Sequence, residues 1–455
     1  MKILGVSSYH HDSAAASLDN GFIQGASHEE RFTRKKFDKS FPENTIRWLR
    51  DQYDDWEFAA FYEETTYNQF KSDIKKFTSA RPVLVDHHEA HAMSSILTTD
   101  WTDCAIMVVD TVGNRYSTSL GVYRNGQIEW IKRFRYPNSI GLFYSSATRL
   151  LGFVPLSDEC KVMSAAAHGK PKWASWINQK VVDYNADGDY TFLHNLERGV
   201  GTGTLDWDIA ASVQQVTQNI LLSLATWLQK ETGFTKLAYA GGVALNCVAN
   251  TYLLKHSGFK HVAIQPAAGD AGCALGAAAL ITRPLWENAY LGVSSSAINI
   301  FADECADRII KGEIVPVIQG RAEFGPRALG NRSLLCAPTD DNIKKLNRIK
   351  TRDTDSWRPY APVCQTEEAD NYFKVYQHSK EMLFVADIIG GNFKTHDNTA
   401  RLQTVTGSSN AYLWKVLEKT RQYGYPILIN TSLNAKGKPI VNTLDDFKRE
   451  VRLHD

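Results

Sequence analysis

The sequence has no paired cysteines. Its seven cysteines (104, 160, 247, 273, 305, 336 and 364) are scattered over 455 residues, with no C-x-x-C spacing. That absence argues against a structural zinc site and a disulfide framework, and for a reducing, cytoplasmic setting. Net charge is nearly absent as well: at +1, no global field draws the chain to nucleic acid or to an anionic membrane. Long apolar runs are missing. The most apolar stretch, Ala271 to Ile281, is interrupted by Gly and Cys and is too short to span a bilayer. Only four apolar or glycine residues follow Met1-Lys2 before Ser7, so no signal peptide is expected. The glycine cluster Gly199-Val200-Gly201-Thr202-Gly203 has neither G-x-G-x-x-G nor Walker A spacing and reads as loop. What remains is an ordinary globular composition, 43% hydrophobic and 22% charged, in a chain long enough for two or three domains.

One stretch stands out: Asp86-His87-His88-Glu89-Ala90-His91, followed by Asp110 at the end of an apolar run. On a helix, His87 and His91 share one face, one turn apart. With a carboxylate from elsewhere they form a sensible site for a divalent transition metal. Glu89 falls on the other face, so this is not the H-E-x-x-H arrangement of zinc peptidases.

The head of the chain repeats itself. Strands are expected at Lys2 to Val6, Ser13 to Leu18 and Phe22 to Ser27, the last two joined by Asp19-Asn20-Gly21. The same order returns at Ala105 to Asp110, Ser119 to Tyr123 and Gln127 to Phe134, with Arg124-Asn125-Gly126 at the turn. A repeat at this spacing implies a duplicated domain with a site between its halves. The loop of the first copy carries His10, His11, Asp12 and Ser13, and polar residues at the ends of buried strands usually face a cleft. The mixed charge run Glu29 to Lys36 reads first as a solvated loop, and otherwise, through residues such as Lys36, as a means of drawing anions to the cleft. Helices are expected from Ile140 and over Ala211 to Glu231, and residues 171 to 206 read as an exposed connection. Leu237 to Asn246 reads as strand, Gly241-Gly242 turn and helix, a place where a ligand can approach backbone and an anion can meet a helix end near Asn246. Gln265 to Gly272 repeats that grammar, and its Asp270 is the best candidate for a further carboxylate ligand.

The last third differs. A strand at Ile314 to Ile318 leads into Gly320 to Ser333, where Arg321, Arg327 and Arg332 sit among glycines, and Lys350, Arg352, Arg358 and Arg401 follow. Arginine forks match phosphate oxygens. The strand end Asn430-Thr431-Ser432 offers amide and hydroxyl groups to the same kind of ligand.

Taken in order, His11-Asp12-Ser13-Ala14, Glu29 to Lys36, His87-x-x-x-His91-Ala92, Asp110, His168-Gly169, Ala240 to Asn246, Gly325 to Ser333, Trp357-Arg358-Pro359 and Asn430-Thr431-Ser432 resemble the O-carbamoyltransferases of antibiotic and nodulation-factor biosynthesis. The resemblance runs from the first strand to about residue 440. It implies an α/β protein with two parts. Residues 1–290 form a duplicated domain of the actin, heat-shock ATPase and sugar-kinase class (ASKHA), and residues 300–455 a YrdC-like domain. The tail would convert ATP, with Mg, and carbamoyl phosphate into carbamoyl adenylate and pyrophosphate. The head would pass the carbamoyl group to an acceptor hydroxyl. Carried over, the resemblance makes His87, His91, Asp110 and Asp270 ligands of Fe(II) or a similar divalent metal. His11, beside Asp12, becomes the base for the acceptor hydroxyl. Arg327, Lys350, Arg358, Arg401, Asn430 and Ser432 become the adenylation site, with Gly241, Gly242 and Asn246 as nucleotide contacts at the transfer site.

The regions 50 to 85 and 171 to 206 are shorter than in the resembled family, which suits an open acceptor pocket for a sugar, another small molecule or a hydroxymethylpyrimidine, as nucleotide or in DNA. Balanced charge disfavours a long DNA footprint. The chain stops at Val451 to Asp455, soon after the last motif and where a closing element is expected, so this end is expected to be abbreviated or truncated. The alternatives are a threonylcarbamoyl-type tRNA-modifying enzyme, a non-catalytic ATP-binding scaffold of the actin type, and a sugar kinase. Two histidines with carboxylates also suit an oxygenase. The scaffold needs no metal ligands, and the kinase leaves the tail arginines unexplained.

Overall fold

The computed structural model describes residues 1–193, 196, 204–295, 301–352, 355–391 and 393–450. The glycine cluster at 199–203 and the segment 451–455 lie outside the described residues.

The repeat in the sequence is a repeat in space. Strands β1 (Lys2–Ser7), β2 (Ala14–Asp19), β3 (Phe22–His28), β4 (Phe58–Phe61) and β5 (Arg81–Leu84) form a sheet of order β3-β2-β1-β4-β5. Strands β6 (Cys104–Gly113), β7 (Tyr116–Arg124), β8 (Gln127–Arg135), β9 (Lys236–Ala240) and β10 (His261–Ile264) form a second, of order β10-β9-β6-β7-β8. In each, three strands meander antiparallel and two further strands join in parallel. Both hairpin turns need two consecutive residues at positive φ. Asn20 and Gly21 (48° and 82°) and Asn125 and Gly126 (52° and 81°) supply them.

Helices His87–Ile96 and Asp270–Ile281 pack against each other beside the sheets. Small residues make this approach possible. A Cβ on Gly5 of β1 would land on the backbone oxygen of Ala274, and one on Gly276 would land on that of Ala90. The helix Asp270–Ile281 is buried from Ala271 to Ala279, which explains its uniform Ala and Gly content.

The tail holds a third sheet. Strands β11 (Val315–Ile318), β12 (Arg332–Cys336), β13 (Ala361–Gln365), β14 (Gln403–Val405) and β15 (Leu428–Ser432) take the order β11-β12-β15-β13-β14. All pairs are antiparallel except β13 with β14. Helices Ala302–Ile310 and Ala411–Gln422 pack together over it.

Two expectations are corrected. The stretch 171–206 is not an exposed connection: it contains helix Ala174–Lys180 and an antiparallel ribbon, Val182–Tyr184 with Tyr190–Phe192. Ile177, Val181, Val182 and Tyr190 are buried in the core with the residues of β6 and β7, and the Tyr190 hydroxyl lies 2.8 Å from Thr118 Oγ1. Apolar side chains separated by polar ones hid this packing in the sequence. The charge run Glu29 to Lys36 is likewise no solvated loop. Glu29 is buried and accepts hydrogen bonds from the Thr45 amide (2.9 Å) and hydroxyl (2.7 Å). Arg31, also buried, donates to Gly325 O at 2.9 Å, and Arg34 donates to Ile440 O (2.8 Å) and Glu450 Oε2 (2.7 Å). Its charges strap head to tail, and of the run only Lys35 and Lys36 are exposed. Among the described residues, no helix is long and apolar enough to cross a membrane.

Candidate functional site

Helix His87–Ile96 begins at Asp86, whose side chain accepts from the Glu89 amide at 3.0 Å and so satisfies a free N–H of the first turn. Its inner face carries His87 and His91, with ring centroids 5.0 Å apart. Asp270 is the first residue of the helix packed against it. Asp110 arrives from β6 at a point where the register with β7 breaks, between Val109 and Gly113, so the irregular strand end re-aims the carboxylate. Gly113 has to be glycine: a Cβ there would sit 2.6 Å from the His87 ring.

These four side chains converge. His91 Nε2 is 3.6 Å from Asp110 Oδ2 and 3.5 Å from Asp270 Oδ1; His87 Nε2 is 3.9 and 3.8 Å from the same atoms. Such separations are long for hydrogen bonds. They suit donors around one ion, since ligand atoms about 2.1 Å from a metal stand about 3 to 3.5 Å from one another. His87 Nε2 and both ring nitrogens of His91 are buried without a hydrogen-bond partner, so the donor set fits a divalent cation. The field agrees. Burial opposes charge on His87, yet Asp270 and Glu63 outweigh it and lift its pKa to about 9. Against the same cost of burial, Cys273 and the two aspartates raise His91 well above its ordinary value. Despite burial, the imidazoles hold Asp270 far below the usual carboxylate range.

Glu63 was not singled out in the sequence. It lies just beyond β4, is 4% exposed, and sets Oε2 3.1 Å from His87 Nδ1 while Thr65 Oγ1 donates to Oε1 at 2.8 Å. A carboxylate on Nδ1 fixes the ring and leaves Nε2 for a ligand. The other oxygen of Asp110, Oδ1, accepts from the Gly242 amide at 3.0 Å. Gly241 has φ 94°, and a Cβ there would run into Val109 O, so the turn that brings this amide to Asp110 requires glycine. Asn246 uses its side chain locally: it caps helix Cys247–His256 through the Ala249 amide at 3.1 Å and exchanges hydrogen bonds with Gln214.

His11 and Asp12 form a pair within the field of Asp270, His11 Nδ1 to Asp12 Oδ2 at 3.1 Å, and His11 Nε2 meets Leu156 O at 2.6 Å. Although burial works against it, Asp12, with Asp270 and the Leu156 carbonyl, pushes the His11 pKa up to about 9. Lys36 is exposed, 4.5 Å over the Phe37 ring, and Phe37 in turn stacks on His11 at 5.0 Å.

The tail residues make a second, opposite cluster. Lys350 is buried and donates to Ser432 O and to Asn434 O (3.0 Å) and Oδ1 (2.6 Å). Burial, with Arg352 and Arg358 nearby, depresses its pKa well below the ordinary lysine value. Burial, with Arg327 and Arg358 nearby, brings Arg401 down to about 9. Nε of Arg358, Nε of Arg401 and Nη1 of Arg352 are buried without partners. The carboxylate that meets Arg358 is Asp355, at 3.8 Å. Asn430 lies two residues before Ser432, on the same face of β15, with Nδ2 on Gln403 Oε1 (2.7 Å) and Oδ1 unpartnered. Arg352 thus joins the candidate set. The segment between the two clusters is short: Leu156 O touches His11, and four residues on, Cys160 Sγ is 3.7 Å from Arg358 Nη2.

Residues 2–54 and 52–279 match the family model for the carbamoyltransferase N-terminus, and residues 306–454 match that for the carbamoyltransferase C-terminus. The chain belongs to the carbamoyltransferase family. A protein of Synechocystis sp. is 32% identical to this carbamoyltransferase over 98% of the chain and 93% of its own length. Nodulation protein NolNO of Sinorhizobium fredii is 28% identical over 96% of the chain and 76% of its own length. The 3'-hydroxymethylcephem-O-carbamoyltransferase of Streptomyces clavuligerus is 32% identical over 65% of the chain and 62% of its own.

The carbamoyltransferase also has a cleft of about 540 Å³ lined by Trp101, Trp286, Tyr290, Glu381 and Thr404. It contains none of the metal-type ligands or basic residues described above, so volume alone does not mark the chemistry.

Proposed function

We propose that this carbamoyltransferase works in two steps at two centres. Residues 300–455, read as a YrdC-like domain, bind ATP and carbamoyl phosphate: one water splits carbamoyl phosphate into carbamate and phosphate, and the carbamate oxygen attacks the α-phosphorus of ATP to form carbamoyl adenylate, with pyrophosphate leaving. Residues 1–290, read as an ASKHA-type domain, transfer the carbamoyl group to an acceptor hydroxyl. One observation carries this reading: His11, which lies in the field of Asp270, and Arg358 of the basic cluster meet the two ends of one segment, Leu156 to Cys160. Four residues of chain span at most about 14 Å.

The chemistry of each cluster follows from its residues. Arg327, Arg352, Arg358, Arg401 and Lys350 oppose the negative charge of a nucleotide triphosphate and carbamoyl phosphate, and the buried guanidinium N–H groups without partners supply the donors. Ser432, Asn430 and Asn434 orient Lys350 and the bound anion. In the head, His87, His91, Asp110 and Asp270 hold a divalent ion, read as Fe(II)-type. Such an ion supplies Lewis-acid polarisation of the carbamoyl carbonyl and a seat for phosphate. Asp12 orients His11, which takes the acceptor proton, a general-base contribution of roughly 10²–10⁴-fold. Asp12, more than Asp270, holds a proton on His11, so the base is the fraction of His11 that has given that proton up. Gly241 and Gly242, which turn the backbone against Asp110 near the helix that Asn246 caps, are read with Asn246 as nucleotide contacts of the transfer site. Lys36 stands at the outer edge, where it steers anions inward. Proximity of the two clusters protects the mixed anhydride from water. The acceptor is a hydroxyl on a small molecule or nucleotide. DNA is disfavoured by the net charge of +1.

The test is to incubate the purified chain with ATP, Mg and carbamoyl phosphate. Pyrophosphate and AMP should appear, and mass spectrometry with candidate hydroxyl compounds should find the added carbamoyl mass. ADP and a phosphorylated acceptor would instead establish a kinase.

A further inference from the structure

The histidine pair has a neighbour that the carboxylate set leaves out. Cys273 lies three residues after Asp270, one turn along helix Asp270–Ile281, and so faces the same partner helix. Its Sγ and one ring nitrogen from each of His87 and His91 all lie within 4.8 Å of one another. The same criterion joins His87 and His91 to Asp110 and Asp270, yet among the described residues no such grouping contains Cys273 together with the aspartates. The pair therefore serves two ligand faces, one of oxygen and one of sulfur. His91 supplies an independent sign of a ligand: it is 0% exposed, and neither ring nitrogen has a hydrogen-bond partner. Glu63 locks the His87 ring through Nδ1, whereas Nδ1 of His91 has no such partner.

We propose that Cys273 is an alternative metal ligand: oxygen-preferring divalent ions are held by His87, His91, Asp110 and Asp270, and thiophilic ions by His87, His91 and the Cys273 thiolate. The inference rests on reading this centre as a metal site. Its basis is ligand preference, since thiolate favours softer ions while carboxylate favours Mn²⁺ and Mg²⁺. On binding, the S–H bond breaks, an S–metal bond forms and the proton leaves to the buffer; no electrons move, because coordination alone deprotonates a thiol. The physical consequence is a site that can trap a soft ion on its histidines without engaging Asp110 and Asp270.

The experiment uses the full chain, stripped of metal by chelation and titrated with cobalt(II). A near-ultraviolet sulfur-to-cobalt charge-transfer band should appear beside the visible ligand-field bands. Cys273→Ser and, independently, Cys273→Ala should abolish the charge-transfer band and keep the visible ones. Cadmium affinity should fall about tenfold or more in both variants, with manganese affinity within about twofold of the unaltered chain. Visible bands without a charge-transfer band in the unaltered chain, or a charge-transfer band that survives both substitutions, would overturn the role of Cys273 and leave the metal centre standing. No cobalt bands at all would overturn the metal reading, and this inference with it.

Discussion

The head and tail centres both bury charge, but they balance it in opposite ways. In the head, two imidazoles face two aspartates, and a third carboxylate, Glu63, stands behind His87. The balance favours a cation, and the histidines respond by holding protons more tightly. In the tail, burial and mutual repulsion push the pKa values of Lys350, Arg352 and Arg401 down, and the balance favours an anion. A buried charge without its partner is costly, so each cluster shows the sign of what it is built to hold. The contrast also explains why a net charge of +1 conceals two strongly polarised interiors.

The largest expected effect breaks the tail alone. Arg327→Ala should reduce pyrophosphate release by at least about 10²–10³-fold, as loss of one preorganised donor to a reacting anion does, with metal content unchanged. Loss of metal along with pyrophosphate release would mean that the two clusters are not independent. Next comes the head: Glu63→Gln weakens the grip on His87 Nδ1 and should cost about 10–100-fold in metal affinity, measured by chelator competition, with pyrophosphate release intact. Unchanged affinity would reduce Glu63 to packing.

The strap between the regions comes third. Arg34→Ala removes charged hydrogen bonds to Glu450 and to the Pro439 and Ile440 carbonyls. It should lower stability to denaturant by about 2 kcal/mol, and uncoupling of two unfolding transitions would sharpen the comparison further. A fourth effect is one of pH. Burial lowers the His28 pKa to about 4, whereas an unfolded histidine takes its proton near 6.5. Between those values the unfolded chain binds more protons, so stability falls as pH drops from about 6.5 to about 4. His28→Phe, beside Phe324, should flatten that part of the curve; an unchanged acid limb would assign it to other groups.

Much of the contrast is legible in the sequence because it rests on local rules. Asn-Gly turns need positive φ, so Asn20-Gly21 and Asn125-Gly126 mark both hairpins. A four-residue histidine spacing marks a helix face, and Asp270 follows from a strand–turn–helix pattern. What stays hidden depends on contacts distant in sequence. Glu63 lies beyond a strand end with no periodic neighbour and becomes meaningful only when the fold brings it against His87. The register break that aims Asp110 leaves no trace in residue type. Glu29, Arg31 and Arg34 look solvated until their partners at Thr45, Gly325 and Glu450 come close. The ribbon within 171–206 lacks the long apolar alternation that would mark strands. Cys273 is masked by an alanine-rich helix in which a cysteine looks like one more small residue.

His87→Ala separates the proposed adenylation and transfer centres. With ATP, Mg and carbamoyl phosphate, the variant should release pyrophosphate at close to the rate of the unaltered chain while its bound metal and its carbamoylated acceptor product both disappear. Pyrophosphate release lost together with the product, or product formed at an undiminished rate without metal, would contradict that separation.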